Sequence, residues 1–231
     1  EAQNANWNGV PFKSARVRLL WPSRIKLKVQ QANLPSAKPV VRGGETQLEI
    51  AMEDGQPLIV PSGAPLRFTV GRYGEASDFA SWAEVAELIA PHYRAASVIP
   101  ASGALRDELE KIRRVADRRQ QVEQALALVQ ERVRYVALLM GEGGYVPASA
   151  ESTWSRRFGD CKGKTALLLG ILHELGIKAD AVLVNTRAGD VLPDRLPMLG
   201  VFDHVLVRAE LDGQQYWLDG TRTGDASLAE L

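Results

Sequence analysis

The hydrophobic pattern of the chain changes its period at about residue 75. Before that point apolar and polar residues alternate, as they do around Leu48, Ile50 and Met52. Alternation of this kind is typical of strands that have one face in water. Loops rich in proline and glycine separate about four or five such strands, the last of them at residues 66–70.

After residue 75 the apolar residues recur with the period of an α-helix. Three helical faces follow one another, and the third is the longest. They are formed by Trp82, Val85, Ala86, Ile89 and Tyr93; by Leu105, Leu109, Ile112 and Ala116; and by Val122, Leu126, Val129, Val133, Val136 and Met140. A further apolar run at residues 166–175 predicts a helix that is buried on most sides.

Three strands are predicted after this buried helix, at residues 179–184, 201–211 and 214–219. Asp212 and Gly213 predict a two-residue hairpin turn between the last two. Helices followed by an antiparallel sheet indicate the α+β class. We therefore expect a β-rich module over residues 1–75 and a second domain over residues 76–231. The module has few strands for a complete sandwich, which suggests the C-terminal part of a larger β domain.

The composition and charge of the chain argue against some classes of function. The 231 residues are 45% hydrophobic, and Lys+Arg and Asp+Glu are both 28. This balance gives no net attraction to nucleic acid or to an anionic membrane. No apolar run is long enough for a transmembrane segment, and we find no signal peptide. Because the sequence starts at Glu1, we expect a periplasmic or exported protein if a leader has been removed, and a cytoplasmic one otherwise.

The single cysteine, Cys161, excludes an internal disulfide and lies at the predicted start of the buried helix. Gly159 permits a tight turn and Asp160 is a good N-cap. Unpaired N–H groups and the positive end of the helix dipole favour a thiolate at this position. Lys162 and Lys164 add positive charge where acids would stabilise a helix better. A lone cysteine is commonly a small buried hydrophobe, but this placement indicates a reactive thiol.

A thiol nucleophile needs a base within hydrogen-bond reach. Of the three histidines, His173 lies on the same helix, about 18 Å from Cys161. His92 is near the end of another helix, where a solvated or capping role is expected. His204, on the strand predicted at residues 201–211, is therefore the candidate base.

The predicted hairpin brings an acid next to His204. A two-residue turn sets Leu211 opposite Gln214, which makes His204 and Asp219 diagonal neighbours on one face, with Cα atoms about 7 Å apart. Asp203 points to the opposite face. A three-residue loop would shift the register and separate the pair, and polar residues can also coincide by chance on a surface hairpin.

Cysteine, histidine and aspartate are also zinc ligands, but nothing here resembles a clustered ligand motif, so we expect no metal and no cofactor. An acyl-transfer site also needs donors for the developing oxyanion. The backbone N–H of Cys161 is one such donor. Tyr145 and Trp154 are the candidates for the second, although each can equally be a core aromatic.

At these residues the chain resembles the bacterial transglutaminase-like superfamily, which has a papain-type Cys-His-Asp core. The matching stretches are residues 157–164 (RFGDCKGK), 202–205 (FDHV) and 216–221 (YWLDGT), with 134–136 (RYV), 141–145 (GEGGY) and 183–187 (LVNTR) in addition. The resemblance implies a transglutaminase-like or cysteine-proteinase-type domain. It also implies Cys161 as nucleophile, His204 as base and Asp219 as orienting acid. Gly163 departs from the acidic residue expected there, and Gly220 from the usual proline.

Members of this superfamily include glutamine cross-linkers, peptidases, amidases and inactive binding modules, so the fold does not choose among them. The resemblance implies acyl transfer or hydrolysis at a peptide or protein amide, through an acyl-thioester on Cys161. The alternative is a catalytically silent module that binds a peptide or protein and retains the triad. The reactivity of the thiol separates these two hypotheses.

Overall fold

The computed structural model describes residues 2–6, 9–59, 61–64, 71–137, 144–187, 189–225 and 227–230. Helices and mainly antiparallel sheets make up this part of the chain, as predicted for the α+β class. Two compact units are present: Glu1–Val85 with Asn185–Val201, and Ala86–Val184 with Phe202–Leu231. The sequence-based division at residue 75 differs from these units and stays a prediction about domains.

The strands of the first unit form two antiparallel sheets in the described residues. They are β1 (Ala2–Asn6), β2 (Phe12–Pro22), β3 (Lys28–Ala32), β4 (Val40–Arg42), β5 (Glu45–Gly55) and β6 (Tyr73–Ser77). Strand β6 lies between β1 and β3, and β5 lies between β2 and β4. Trp21, Leu48 and Ile50 are the buried core of the second sheet. The alternation predicted around Leu48 and Ile50 is thereby confirmed.

The first sheet differs from the prediction, because the hydrophobic pattern indicated neither β1 nor β6. Both strands consist largely of small and polar residues, so they lack the apolar alternation that identifies a strand. The strand predicted at residues 66–70 lies outside the described residues.

A buried ion pair fastens the segment Asn185–Val201 to β6 within the first unit. Glu75 is only 1% exposed and pairs with the guanidinium group of Arg195. That group lies 4.7 Å from the ring centroid of Tyr73, and the N–H of Leu196 donates to Oε2 of Glu75 at 3.2 Å. A buried carboxylate is tolerated when it is paired and hydrogen-bonded in this way.

The helices are α1 (Trp82–Ala96), α2 (Ala104–Arg113), α3 (Arg118–Arg132), α4 (Ala150–Arg156) and α5 (Cys161–Glu174). Helix α3 is shorter than predicted: it ends at Arg132, and Val133 is already extended. Val136 therefore lies beyond the helix, and Met140 is outside the described residues. Helix α4 was not predicted because its seven residues are too few to show a periodic face. None of the described helices is long and apolar enough to cross a membrane.

The remaining strands all belong to the second unit. They are β7 (Arg134–Tyr135), β8 (Phe158–Gly159), β9 (Lys178–Val184), β10 (His204–Leu211) and β11 (Gln214–Leu218). The short strands β7 and β8 pair in parallel, and β10 lies between β9 and β11 in an antiparallel sheet. Strand β10 begins three residues later than predicted, because Leu199–Val201 form a 3-10 turn.

Helix α5 is the centre of the second unit. It packs against α3, α4, β9 and β10, and its residues from Gly163 to Leu172 are buried. Gly176 ends it with a positive φ of 69°, which is common for the residue after the C-cap. The N–H groups of Gly176 and Ile177 donate to the carbonyls of His173 and Leu172, both at 2.9 Å. These two bonds form a Schellman motif.

We expect Gly170→Ala to destabilise the protein, although alanine is normally about 1 kcal/mol better than glycine inside a helix. A Cβ at Gly170 would lie 2.2 Å from the carbonyl oxygen of Ser97 and 2.7 Å from Cδ1 of Ile99. Overpacking of this kind costs about 1–3 kcal/mol. Urea unfolding measures the loss. The control is Gly189→Ala, where no atom lies within 4 Å of the new Cβ. A Gly170→Ala variant as stable as the parent would contradict this account.

Candidate functional site

Cys161 is the first residue of α5, as predicted. Asp160 is the N-cap: its Oδ1 accepts the N–H of Gly163 at 2.9 Å, and its backbone is extended. The carboxylate of Asp160 also pairs with the ammonium group of Lys162. This capped helix start fixes the position of the Cys161 side chain.

The two lysines of the first turn have partners of their own. Lys162 pairs with Asp160, while Lys164 is buried and donates from Nζ to the carbonyl oxygen of Val133. The sequence predicted positive charge from both lysines at this helix start, and in the structure each ammonium group binds an oxygen atom.

The β10–β11 hairpin has the predicted register. Asp212 and Gly213 both have positive φ angles, 52° and 77°, as a type I′ turn requires. Leu211 pairs with Gln214, and the ladder continues to Val207 and Leu218. Asp219 follows directly after the last residue of β11.

His204 and Asp219 are hydrogen-bonded. Nε2 of His204 lies 2.9 Å from Oδ2 of Asp219, and both side chains are largely buried. The other oxygen, Oδ1, accepts the N–H of Thr221 at 2.8 Å and its hydroxyl at 2.7 Å. The side chain of Cys161 also interacts with His204 and helps to raise its pKa. Because Nε2 is engaged by Asp219, Nδ1 is the ring nitrogen available to the sulfur.

These contacts determine the charge states of His204 and Asp219. The hydrogen bond to Asp219 and the interaction with Cys161 raise the pKa of His204 from 6.5 to about 10, although burial acts in the opposite direction. Burial alone would raise the pKa of Asp219. Hydrogen bonds from His204 and Thr221 outweigh burial and hold that pKa below its usual value. An imidazolium beside a carboxylate is therefore the favoured state at neutral pH.

Gln130 of α3 holds the main chain at Asp219. Its Nε2 donates to the carbonyl oxygen of Asp219 at 2.9 Å and to Oδ2 of Asp225 at 2.8 Å. The hydrophobic pattern did not identify Gln130 as part of the site. A polar residue one turn after Leu126, on the apolar face of the predicted helix, did indicate that Gln130 has a buried polar partner.

Two tyrosines also lie in the electrostatic field of the site and were missed. Burial, Cys161 and Asp160 together raise the pKa of the Tyr93 hydroxyl, in that order of importance. Tyr135 is 44% exposed, and the same three causes, joined by Asp219, raise its pKa. Strand β7 carries Tyr135 and pairs it with Gly159. The stretch RYV at residues 134–136 was the available signal.

Tyr145 and Trp154, the two candidates for a second oxyanion donor, differ in their surroundings. Tyr145 is 57% exposed, and Trp154 is 5% exposed. The guanidinium carbon of Arg157 lies 3.6 Å from the Trp154 ring centroid. Nε1 of Trp154 is buried and has no hydrogen-bond partner among the described residues. Their roles toward an oxyanion stay predictions.

Close packing accounts for glycine at the two positions that depart from the family pattern. A Cβ at Gly163 would lie 2.7 Å from Oγ1 of Thr153. One at Gly220 would lie 3.1 Å from Cγ1 of Val129. A larger residue at either position would require its neighbour to move.

The other histidines have different environments. Nε2 of His173 lies 2.8 Å from the carbonyl oxygen of Ala179, and His92 is exposed. Within the described ranges, no group of three His, Cys, Asp or Glu side chains is arranged to hold a metal ion.

Comparison with solved structures identifies proteins of similar fold. A candidate protease from Parabacteroides distasonis superimposes with a TM-score of 0.73 at 13% identity, over 94% of this chain and 43% of that one. A candidate cysteine protease from Cytophaga hutchinsonii gives a TM-score of 0.39 at 12% identity, over 96% and 71%. The periplasmic domain of TgpA from Pseudomonas aeruginosa gives 0.36 at 15%, over 95% and 76%.

The similarity to the Parabacteroides protein concerns the fold. No protein-family model matches the sequence, and no curated protein matches it either. The chain spans less than half the length of the Parabacteroides protein, whose fold it shares at low identity.

We expect the stability that the Asp219–His204 pair contributes to depend on pH. The pKa of His204 is raised from 6.5 to about 10, so its contribution is complete below pH 6.5 and is lost as the pH rises toward 10. The pKa of Asp219 is lowered from 3.8, so its contribution is present above pH 3.8 and is lost at lower pH. Asp219→Asn should therefore reduce stability most between pH 3.8 and 6.5.

Denaturant unfolding of the parent and of Asp219→Asn across this range measures the difference. Asparagine can still accept the bonds from Thr221, so the substitution removes mainly the charge. Asp180→Asn is the control, because Asp180 pairs with Arg208 on the exposed surface, where ion pairs contribute little. A stability difference that does not change with pH would contradict the assigned charges.

Proposed function

We propose that this protein is a thiol-dependent acyl-transfer enzyme of the transglutaminase-like superfamily, acting on a peptide or protein amide. The observation that carries the proposal is the position of His204. It is hydrogen-bonded to Asp219, and it also interacts with the side chain of Cys161 at the start of a buried helix. A nucleophile, a base and a group that orients the base are the parts that such chemistry needs.

The charges of these groups suit an attacking thiolate. With a pKa of about 10, His204 carries its proton at neutral pH and can stabilise a thiolate on Cys161. The helix dipole acts in the same direction.

In the acylation step, the thiolate of Cys161 forms a bond to the amide carbon, and the carbonyl π electrons move to the oxygen. The backbone N–H of Cys161 is one donor for this oxyanion. Tyr145 or Trp154 is proposed as the second. When the oxyanion collapses, the C–N bond breaks, and the imidazolium of His204 gives its proton to the leaving amine. An acyl-thioester and a neutral imidazole remain.

In the second step, water or an amine attacks the thioester carbon. His204 takes the proton from this nucleophile, the C–S bond breaks, and the thiolate of Cys161 is restored. Attack by water completes hydrolysis, and attack by an amine completes acyl transfer. Throughout the cycle Asp219 orients the ring of His204 and stabilises its charged form.

We expect His204→Ala to move alkylation of Cys161 to higher pH. The variant lacks the imidazolium that stabilises the thiolate, so the rate should rise only where an isolated thiol ionises, at about pH 8.5. Asp219→Asn should shift the profile in the same direction but less, because Asp219 does not contact the sulfur. Iodoacetamide labelling at a series of pH values gives the profiles. Indistinguishable profiles for the parent and His204→Ala would favour the silent binding module.

We also expect an electrophilic peptide to label Cys161 covalently at neutral pH. The probe tests nucleophilicity and acceptance of a peptide together, and tandem mass spectrometry identifies the modified residue. Cys161→Ala should remove the label without unfolding the protein, since alanine is a good helix former. Labelling of the parent that is no faster than that of denatured protein would argue against the enzyme.

A further inference from the structure

Lys164 is a buried cation beside the site, and the proposed chemistry does not use it. It lies three residues after Cys161 on α5 and is 1% exposed. Lysine is rarely buried to this degree without a partner, because desolvation of the ammonium group is costly. Its burial beside a proposed active site therefore requires a physical reason.

The side chain of Lys164 lies close to the backbone at Gly159 and at Gly220. A Cβ at Gly159 would lie 3.7 Å from Cγ of Lys164, and a Cβ at Gly220 would lie 3.6 Å from its Cβ. The stem thus runs between the residues that precede Cys161 and the residue that follows Asp219. Glycine at both positions lets the backbone approach the stem closely.

The charged end of Lys164 reaches a third segment. Nζ donates to the carbonyl oxygen of Val133, which is the C-cap of α3. This carbonyl has no partner within the helix, and a lysine is a suitable donor for it. Tyr135, two residues later, lies in the electrostatic field of Cys161, Asp160 and Asp219. Three segments, at Gly159, Val133 and Gly220, therefore meet at one side chain.

Electrostatics connects Lys164 with the acid. Burial lowers the pKa of Lys164, while the charge of Asp219 opposes this effect and favours the protonated amine. The attraction acts on both charges, so a protonated Lys164 favours the ionised form of Asp219. The hydrogen bonds from His204 and Thr221 remain the main causes of that ionisation.

We propose that Lys164 is a positioning residue of the triad: its stem and its buried ammonium group hold the Asp219–Gly220 turn against α5 and keep Asp219 oriented and charged toward His204. This inference rests on the proposed function. Lys164 touches no reacting atom, so it acts through Asp219. A purely structural role, in which Lys164 only caps α3, is the competing explanation.

A double-mutant cycle in the full chain separates the two explanations. The parent, Lys164→Met, Asp219→Asn and the double variant are compared by their alkylation rates between about pH 5 and 10. Methionine keeps most of the apolar stem and removes the charge. We expect Lys164→Met to slow alkylation at neutral pH roughly tenfold, since small displacements of a catalytic group can cost up to about 100-fold.

Coupling between the two substitutions is the decisive readout. If Lys164 acts through Asp219, Lys164→Met shifts the pH profile toward that of Asp219→Asn and has little further effect in the Asp219→Asn background. A structural role predicts that the two effects multiply. Lys164→Gln keeps a donor for the Val133 carbonyl but removes the charge, and it should reproduce the shift. If the pH profile of Lys164→Gln equals that of the parent, the electrostatic part of the proposal is wrong.

Leu109→Ala is the stability control, because Leu109 is fully buried on α2 and outside the site. It should lower stability and leave the pH profile unchanged. The inference fails if Lys164→Met has the profile of Leu109→Ala, or if neither Lys164 variant folds at neutral pH. Failure of the proposed function is a different result, in which the parent and His204→Ala have the same profile.

Discussion

Burial of α5 is the constraint on which the second unit depends. The helix must be enclosed along most of its length, and its first residue must still be available for chemistry. Glycine residues make both possible, because they have no side chain. The carbonyl of Ser97 lies close to Gly170, and the side chain of Thr153 lies close to Gly163. Close packing of this kind makes the interior stiff. Cys161 is consequently held at a fixed place relative to β10, against which the helix packs.

Local rules made the central part of the site predictable from the sequence. Asp160 is an N-cap because its side chain reaches an N–H three residues ahead, and this depends only on neighbouring residues. The hairpin is equally local, since the turn at residues 212–213 fixes the register of both strands. The proximity of His204 and Asp219 follows from that register. The two residues are 15 positions apart in the chain, so a short stretch of sequence contained enough information for the pair.

The parts that the sequence did not reveal depend on contacts between distant residues. Gln130 is hydrogen-bonded to Asp219, which is 89 positions away in the sequence, and Lys164 to Val133, which is 31 positions away. A polar residue on an apolar helix face signals that some partner exists, but it does not identify the partner. The partner of Lys164 was not predictable for the same reason, because Val133 lies at the C-terminal end of a different helix. Strands β1 and β6 were missed because pairing, rather than hydrophobic alternation, defines them.

The ionisation of Asp219 illustrates how backbone geometry controls the chemistry of the site. Burial raises the pKa of Asp219 and so acts against the charge that favours the imidazolium of His204. Two donors from Thr221 counter this effect, and one of them is a main-chain N–H that only the turn after β11 can aim at Oδ1. The ionisation of Asp219 therefore depends on the conformation of the turn as well as on the aspartate itself. Gly220 lies inside this turn, close to Val129 of α3 and Lys164 of α5, so the place of the turn depends on the packing of both helices.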